Sequence, residues 1–357
     1  MKATSVEDVR QVIRGEERLK AVGGRSKSGL TGRANGAAIV DMTGLSGIVE
    51  YDASEFTITA LAGTPVVEVV EILAAHGQYL PFDPVLVEVG ATLGGTVASG
   101  LSGPGRYRYG GVRDFIIGVK FLNGEGDLIQ GGGKVVKNAA GFDLPKLMVG
   151  SLGQFGVLVE LSFKVFPRPE AFTTLQRDYL SLQASLSDLK RLSHTAMDIY
   201  AVDLLPQGNK TSLMVRLGGD EQSFPARVAR LQALLGGGDI LPEAAEPAFW
   251  RSTTEFDGLE AGLYLVKVPV TPERAPELEG RLAGGHALRR YSVGANVAWV
   301  SWPGEIRELD HTLSALGLSG LVVLGETAHP LIGVRVGQAF AKRIKVALDP
   351  NNKWVEV

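Results

Sequence analysis

The stretches VGGRSKSGLTG at residues 22–32 and VGATLGGTVASGLSGPGRYRYGG at residues 89–111 decide how this chain is read. Glycine is selected where φ must be positive or where a ligand approaches the main chain without meeting a Cβ. Consecutive turn amides then face a concavity that favours anions. The two stretches read together as a dinucleotide cradle built from loops, with a pyrophosphate as its natural occupant. In the first, Gly23, Gly24, Arg25, Ser26, Lys27, Ser28 and Gly29 combine amides with hydroxyls and two cations, which can donate to phosphate oxygens and neutralise part of their charge. Taken alone, that loop reads equally well as a surface turn between two strands. The second stretch weighs against the plain turn. Gly90, Gly94, Gly95, Gly100, Gly103 and Gly105 are too many for a helix or strand interior at ~1 kcal/mol per glycine, unless close approach requires them.

Spacing excludes two common alternatives. A Rossmann fingerprint needs G-x-G-x-x-G straight after a strand and opening a helix, and neither cluster supplies it. A P-loop needs a hydroxyl after its lysine, whereas Gly131-Gly132-Gly133-Lys134 continues with Val135, so nucleoside triphosphate chemistry is excluded.

The run GATLGGTVASGLSGPGRYRYGGVRDFIIGVKFLNGEG from Gly90, followed by KVVKNAAGFDLPKLMVGSLGQFGVLVELSFKVFPRP ending at Pro169, resembles the FAD-binding domain of the vanillyl-alcohol oxidase and p-cresol methylhydroxylase superfamily. Within that superfamily it is similar to the FAD-binding subunits of bacterial glycolate oxidases. The resemblance implies an α+β chain with a two-part FAD-binding domain of the p-cresol methylhydroxylase type over residues 1–168. An α+β cap with a mainly antiparallel sheet then follows over residues 169–357. It implies one FAD held without a Rossmann fold, its pyrophosphate on the 23–29 loop and its isoalloxazine against the second glycine cluster. The implied cofactor contacts are Pro84, Gly90, Ala91, Thr92, Gly94, Gly95, Val97, Ala98, Gly100, Arg108, Tyr109, Gly110, Gly141, Gly153, Gly156 and Val157. Gly150, Gly153 and Gly156 resemble a turn facing adenine and ribose, and Asn138, Gly141 and Asp143 a motif beside the cofactor. Asp143 reads equally well as the cap of a helix starting near Pro145. Covalent attachment in the superfamily uses histidine, or cysteine as well, near these loops. Neither loop contains either residue, so FAD is expected to bind non-covalently.

Composition fits this placement. A length of 357 residues with 45% hydrophobic content supports a substantial core and suggests two domains. A net charge of -3 argues against a nucleic-acid partner, which would call for a basic face. The absence of cysteine removes disulfides, thiolate nucleophiles and any iron–sulfur cluster held by this chain. No charged-then-apolar leader and no run of about 18 apolar residues appear, so a soluble cytoplasmic protein is expected, attached to a membrane only through partners.

Patterning places the elements. Ser5 caps a first helix with Val9, Val12 and Ile13 on one face, ended by Gly15. Residues 37–62 read as strands, with Phe56, Ile58 and Ala60 alternating against Thr57, Thr59 and Leu61. Thr64-Pro65 opens a helix stopped by Gly77, with His76 at its C-terminus, where its charge is favourable. Asn123-Gly124 marks a hairpin between 119–122 and 128–130, and residues 157–165 alternate as a strand. Pro167 and Pro169 mark the domain boundary. Beyond it, strand-like stretches at 199–205, 211–217, 263–270, 295–302 and 321–324 alternate with helical ones around 182–192, 228–235 and 306–316.

A cation near the reduced flavin would favour reduction. Arg106, Arg108, Lys134 and Lys137 are candidates, against a reading as solvated charge. Tyr107 and Tyr109 are candidates for stacking, against packing under a loop. Oxidising a 2-hydroxy acid further needs a proton acceptor and a cation for the carboxylate. His194, His286, His311 and His329 are scattered and form no tight ligand set, so no catalytic residue is assigned. His329-Pro330 resembles a short family segment. Relatives often close with asparagine-proline-glycine-arginine, whereas Asp349-Pro350 is followed here by NNKWVEV. The expected function is the FAD-binding subunit of a glycolate oxidase-like enzyme converting glycolate to glyoxylate, working with a second flavoprotein and an iron–sulfur subunit. Either its own FAD takes hydride from substrate, or the chain is a non-catalytic flavin-bearing electron-transfer or assembly subunit. A third reading is an NAD(P)H-dependent reductase of the enolpyruvoyl-glucosamine reductase type, whose catalytic serine and glutamate the cap does not announce.

Overall fold

The computed structural model describes residues 1–31, 36–133, 142–257, 263–283 and 287–356. The chain divides into two compact units. The first comprises Met1–Ser102, Gly110–Arg168 and Arg335–Val357, and the second Gly103–Tyr109 and Pro169–Val334. The division at 168/169 falls at the proline punctuation, but residues 335–357 group with the first unit, unlike the single cap of 169–357 expected from sequence. The physical cause is Trp354. Its side chain is fully buried in one apolar cluster with Val9, Ile13, Leu19 and Val40, and the main chain around it pairs with Leu19 through Leu19 N–H to Lys353 C=O at 2.7 Å and Val355 N–H to Leu19 C=O at 3.0 Å.

The first unit begins with the helix Val6–Gly15, capped by Ser5, whose hydroxyl accepts from the Asp8 amide while the Asp8 carboxylate accepts from the Ser5 amide. Such a reciprocal box satisfies amides that the first helical turn leaves without partners. Backbone and hydroxyl hydrogen bonds from Thr4 and Ser5 hold the Asp8 carboxyl down at about 2. The strand Leu19–Val22 pairs in parallel with Ala38–Asp41 and delivers the chain into the first glycine loop. A five-stranded antiparallel sheet runs in the order Ile48–Asp52, Thr57–Leu61, Val157–Lys164, Ile116–Leu122, Leu128–Gly132.

Two local expectations change. Phe56 sits before its strand with φ 53° and is 40% exposed, because it forms the turn that Thr57 leaves. Asn123-Gly124 does not form a two-residue turn. The Asn123 side chain accepts from the amides of Glu125 and Asp127 and opens a longer loop, in which Gly126 rather than Gly124 takes positive φ. Gly124 is required for another reason: a Cβ there would lie 2.0 Å from Asp349 Oδ1.

The second unit is a nine-stranded sheet in the order Asp239–Ile240, Ala171–Tyr179, Lys210–Gly219, Ile199–Gln207, Leu288–Ser292, Val297–Trp302, Tyr264–Pro269, Ser319–Leu324, Leu331–Gly333. Every described pairing in it is antiparallel. One face carries a continuous core. Alternate strand residues such as Val202, Leu204, Val215, Val266 and Val300 pack there with Leu186, Leu189, Leu231, Leu278 and Leu309 from four helices. Burying one apolar face of an antiparallel sheet under helices is the arrangement that an alternating pattern dictates.

Candidate functional site

The first unit contains a cleft where its two glycine segments meet the turn at 151–158. Its wall includes three cations, Lys20, Arg25 and Lys27, and no carboxylate among the described residues. Lys27 is 6% exposed, with its ammonium 3.2 Å from Ser26 Oγ. Burial pushes the Lys20 ammonium pKa down, as expected for a cation whose charge lacks full hydration. Leu19, Val22, Leu30, Met42, Leu152 and Leu158 make the remaining walls apolar.

The glycines earn their places in a way the sequence reading did not anticipate. A Cβ on Gly24 would stand 1.7 Å from the Gly90 carbonyl oxygen, and one on Gly23 would stand 2.3 Å from Thr92 Oγ1. These glycines let the two loops press on each other rather than admit a ligand. Gly94 is similar, its Cβ position lying 2.9 Å from the Ala62 carbonyl that its own amide donates to at 2.7 Å. Gly95 differs. Only Thr92 Oγ1, at 3.2 Å, limits its Cβ position, so its bare backbone forms part of the cleft surface. Thr92 caps the helix Leu93–Ser99 by accepting from the Gly95 amide, and Gly100 ends that helix in the left-handed conformation at φ 62°, where glycine carries no Cβ penalty.

Of the residues expected at the cofactor, Gly23, Gly24, Arg25, Ser26, Lys27, Thr92, Gly94, Gly95, Ala98, Gly153, Gly156 and Val157 line this cleft together. Ser28 and Gly29 lie in the turn Ser28–Thr31, whose Leu30 and Thr31 supply the lining instead. The Gly90 carbonyl stands against Gly24, Ala91 is buried and accepts from the Val66 amide, Val97 is fully buried within the helix Leu93–Ser99, Pro84 is buried in the segment before it, and Gly100 packs on Gly150. Arg108 and Tyr109 belong to the second unit. The Arg108 guanidinium bonds Asp198 at 2.9 Å and lies 4.6 Å from the Tyr200 ring centroid, while Tyr109 meets Tyr200 edge-on. Gly110 at φ 92° makes room for Asp114. Gly141, Lys134, Lys137 and Asn138 lie outside the described residues. Asp143 caps the helix Leu144–Met148 and pairs with Lys146 at 2.7 Å. His76 Nδ1 lies 3.0 Å from the Ile72 carbonyl and His194 Nδ1 2.6 Å from the Lys190 carbonyl, both at helix ends. No cluster able to hold a metal occurs among the described residues.

Two contributors were missed. Lys20 looked like an ordinary strand residue, although its position just before the glycine loop is a usable signal. Ser151 sits next to the glycines that were singled out. Its hydroxyl is buried at 3% exposure, has no hydrogen-bond partner among the described residues, and belongs to the cleft wall. A buried hydroxyl without a partner in a cationic cleft marks a donor waiting for an anionic acceptor. Ser151→Ala is therefore expected to weaken FAD binding about tenfold, the size of a hydrogen bond to a charged acceptor. The melting temperature of the FAD-free protein should not change, because no protein contact is lost. FAD titration and a thermal melt of the stripped protein measure both.

Three cations on a wall with no carboxylate among the described residues, a buried hydroxyl donor and apolar flanks fit a molecule with an anionic centre and two flat ends. This is the chemistry of a flavin dinucleotide. The model of the FAD binding domain family matches residues 1–132. Glycolate oxidase subunit GlcE of Escherichia coli is 38% identical over 268 residues, covering 74% of this chain and 72% of that protein. Glycolate oxidase subunit GlcD of Bacillus subtilis is 30% identical over 258 residues, 67% of this chain but 55% of its own length. Among solved structures, an alkyldihydroxyacetonephosphate synthase superposes with a TM-score of 0.72 over 99% of this chain and 75% of that one, at 14% identity, a likeness of fold alone.

Proposed function

Because this chain belongs to the family of FAD-binding glycolate oxidase subunits, we propose that it is the FAD-bearing subunit of a 2-hydroxyacid oxidoreductase assembly, with glycolate as the substrate and glyoxylate as the product. The observation that carries this reading is the cleft whose described wall bears three cations and no carboxylate. FAD supplies a two-electron acceptor, and the protein supplies its binding and orientation. Lys20, Arg25 and Lys27 offset the charge of the pyrophosphate, loop amides from 23 to 27 and the Ser151 hydroxyl donate to its oxygens, and Leu152 and Leu158 exclude water from its flanks. The bond to FAD is non-covalent, since no histidine among the described residues lines the cleft and the chain has no cysteine. Electrons leaving through iron–sulfur centres require another polypeptide for the same reason. The partners are a second flavoprotein and an iron–sulfur subunit. No helix among the described residues is long and apolar enough to cross a membrane, so any membrane attachment runs through them.

The absorption spectrum of the purified chain, with FAD titrated in and glycolate or D-lactate added anaerobically, tests the reading. Flavin bands that bleach with hydroxy acid make the chain's own FAD the hydride acceptor. Flavin that binds and stays oxidised until the partner flavoprotein is added makes the chain an accessory subunit. Failure to bind FAD at any concentration overturns both, and rapid bleaching by NADPH alone would replace them with a reductase.

A further inference from the structure

Charge is segregated along this chain. Between Arg33 and Arg106 the sequence has no lysine or arginine, and between Glu326 and Asp349 it has no acidic residue. Each stretch gives the first unit one exposed helix face, and the two faces carry opposite charge.

The acidic face belongs to the helix Val66–Ala74, which buries Val66, Val69 and Leu73. Val67, Val70, Glu71 and Ala74 stand at i, i+3, i+4 and i+7 and so share the outer side, with Glu68 at its margin, and all five are exposed. Neither Glu68 nor Glu71 has a cationic partner among the described residues. The basic face belongs to the helix Gln338–Leu348, whose inward side is marked by the buried Lys345. Ala339, Phe340, Arg343, Val346 and Ala347 turn outward together, with Lys342 beside them, and all six are exposed. Arg335 and Val336, also exposed, lead into the helix. The Arg343 guanidinium lies 5.8 Å from the Phe340 ring centroid. No carboxylate pairs with Arg335, Lys342 or Arg343 among the described residues.

Phe340 is 55% exposed, Val346 61% and Val336 82%. Single exposed apolar side chains are ordinary, whereas several gathered with unpaired arginine match the make-up of a protein contact. The two faces also match each other. The helices have 9 and 11 residues, about 14 and 17 Å at 1.5 Å per residue. One offers valine, alanine and two carboxylates, the other phenylalanine, valine, alanine and cations. Both are open in the same molecule, so neither covers the other within it. A second copy of the chain brings the complementary face to each.

We propose that the chain pairs with a second copy of itself, the outer side of Val66–Ala74 in one protomer seated on that of Gln338–Leu348 in its partner. In a two-fold pair the contact forms twice, once in each direction. Opposite charges select the register, and the apolar side chains between them exclude water. The pairing rests on the first unit's surface alone and is independent of the function proposed above.

Sedimentation equilibrium of the FAD-loaded full chain tests it. The mass should rise with concentration towards that of a dimer, and the association should weaken at least about tenfold as salt is raised to about 0.5 M. Glu71→Arg and Arg343→Glu should each weaken self-association at least about tenfold, because like charges then face each other at both contacts. An equimolar mixture of the two variants should associate again, since every contact in the mixed pair joins opposite charges. Flavin content and melting temperature should match the wild type, as both substitutions are on the surface. A monomer at every concentration in low salt, wild-type association in either variant, or a mixture no better than its components would overturn the pairing. A monomeric wild type whose binding to phosphatidylglycerol vesicles is lost in Arg343→Glu would overturn it in favour of a lipid surface.

Discussion

Gly24→Val should yield protein without flavin. The Cβ of any residue at position 24 would stand 1.7 Å from the Gly90 carbonyl oxygen and 2.9 Å from its carbon, distances that only backbone displacement can relieve. Neither loop can yield alone. Gly23 is held against Thr92, Thr92 caps the helix Leu93–Ser99, and the Gly94 amide is bonded to the Ala62 carbonyl just after the strand Thr57–Leu61. Separating the loops spreads the amides and cations that face the pyrophosphate, so FAD affinity should fall by at least about a hundredfold, or roughly 2.7 kcal/mol. The strain should also lower the stability of the first unit by about 1–3 kcal/mol. Gly95→Val supplies the contrast. Its Cβ meets only a threonine hydroxyl at 3.2 Å and lies on the cleft wall, so the added methyls should occupy space the cofactor needs. Flavin should again be lost, but stability should hold, because valine replaces glycine within a helix. Flavin-to-protein ratio and urea unfolding of the stripped proteins separate the two cases. Full flavin occupancy in both variants would rule out the cradle.

That contrast also shows what was legible in the sequence. The glycine density pointed to the place where the two loops meet, because close approach leaves a compositional trace whichever atoms approach. It could not say whether the approaching group was a ligand or another loop, since both exclude a Cβ in the same way. The same limit explains Asn123-Gly124. The dipeptide reads as a tight turn, yet Gly124 is needed because the distant Asp349 carboxylate occupies the space of its Cβ. Strands in the second unit were legible where one face is apolar, as at 199–205 and 297–302. The strand Ala171–Tyr179 was missed because its exposed face carries threonine, glutamine and arginine without a clean alternation. Arg108 and Tyr109 were expected at the cofactor from their place beside the second glycine cluster, and within the second unit they meet Asp198 and Tyr200. Local order along the chain carries no information on which compact unit a seven-residue segment joins. Ser151 left no trace as a single residue because what distinguishes it is a buried hydroxyl without a partner among the described residues, a property of three-dimensional packing.

Asp349→Ala should be the most destabilising single change in the C-terminal segment. The Asp349 carboxylate is 1% exposed. Oδ2 accepts from Lys345 Nζ at 2.7 Å and from the Trp354 amide at 2.8 Å, and Oδ1 accepts from the Lys353 amide at 2.9 Å. Truncation would leave the buried Lys345 ammonium with only the Trp354 carbonyl and free two amides that shape the turn after Pro350. Breaking a buried pair from one side costs about 3–5 kcal/mol because the remaining charge stays unpaired. The loss should reach the cofactor. Trp354 anchors the segment in the first unit's core, Lys353 and Val355 bond to the strand that begins at Leu19, and Val355 forms part of the cleft wall beside Lys20. A loosened terminus should therefore lower FAD affinity as well as the urea midpoint. Lys345→Met should cost less than Asp349→Ala, since the carboxylate keeps both amide donors and an apolar side chain suits the buried site. After Asp349-Pro350 this chain has NNKWVEV, which seats Trp354 in the first unit's core. If Asp349→Ala leaves both the urea midpoint and flavin retention unchanged, that anchor is dispensable and the cleft is built by the glycine loops alone.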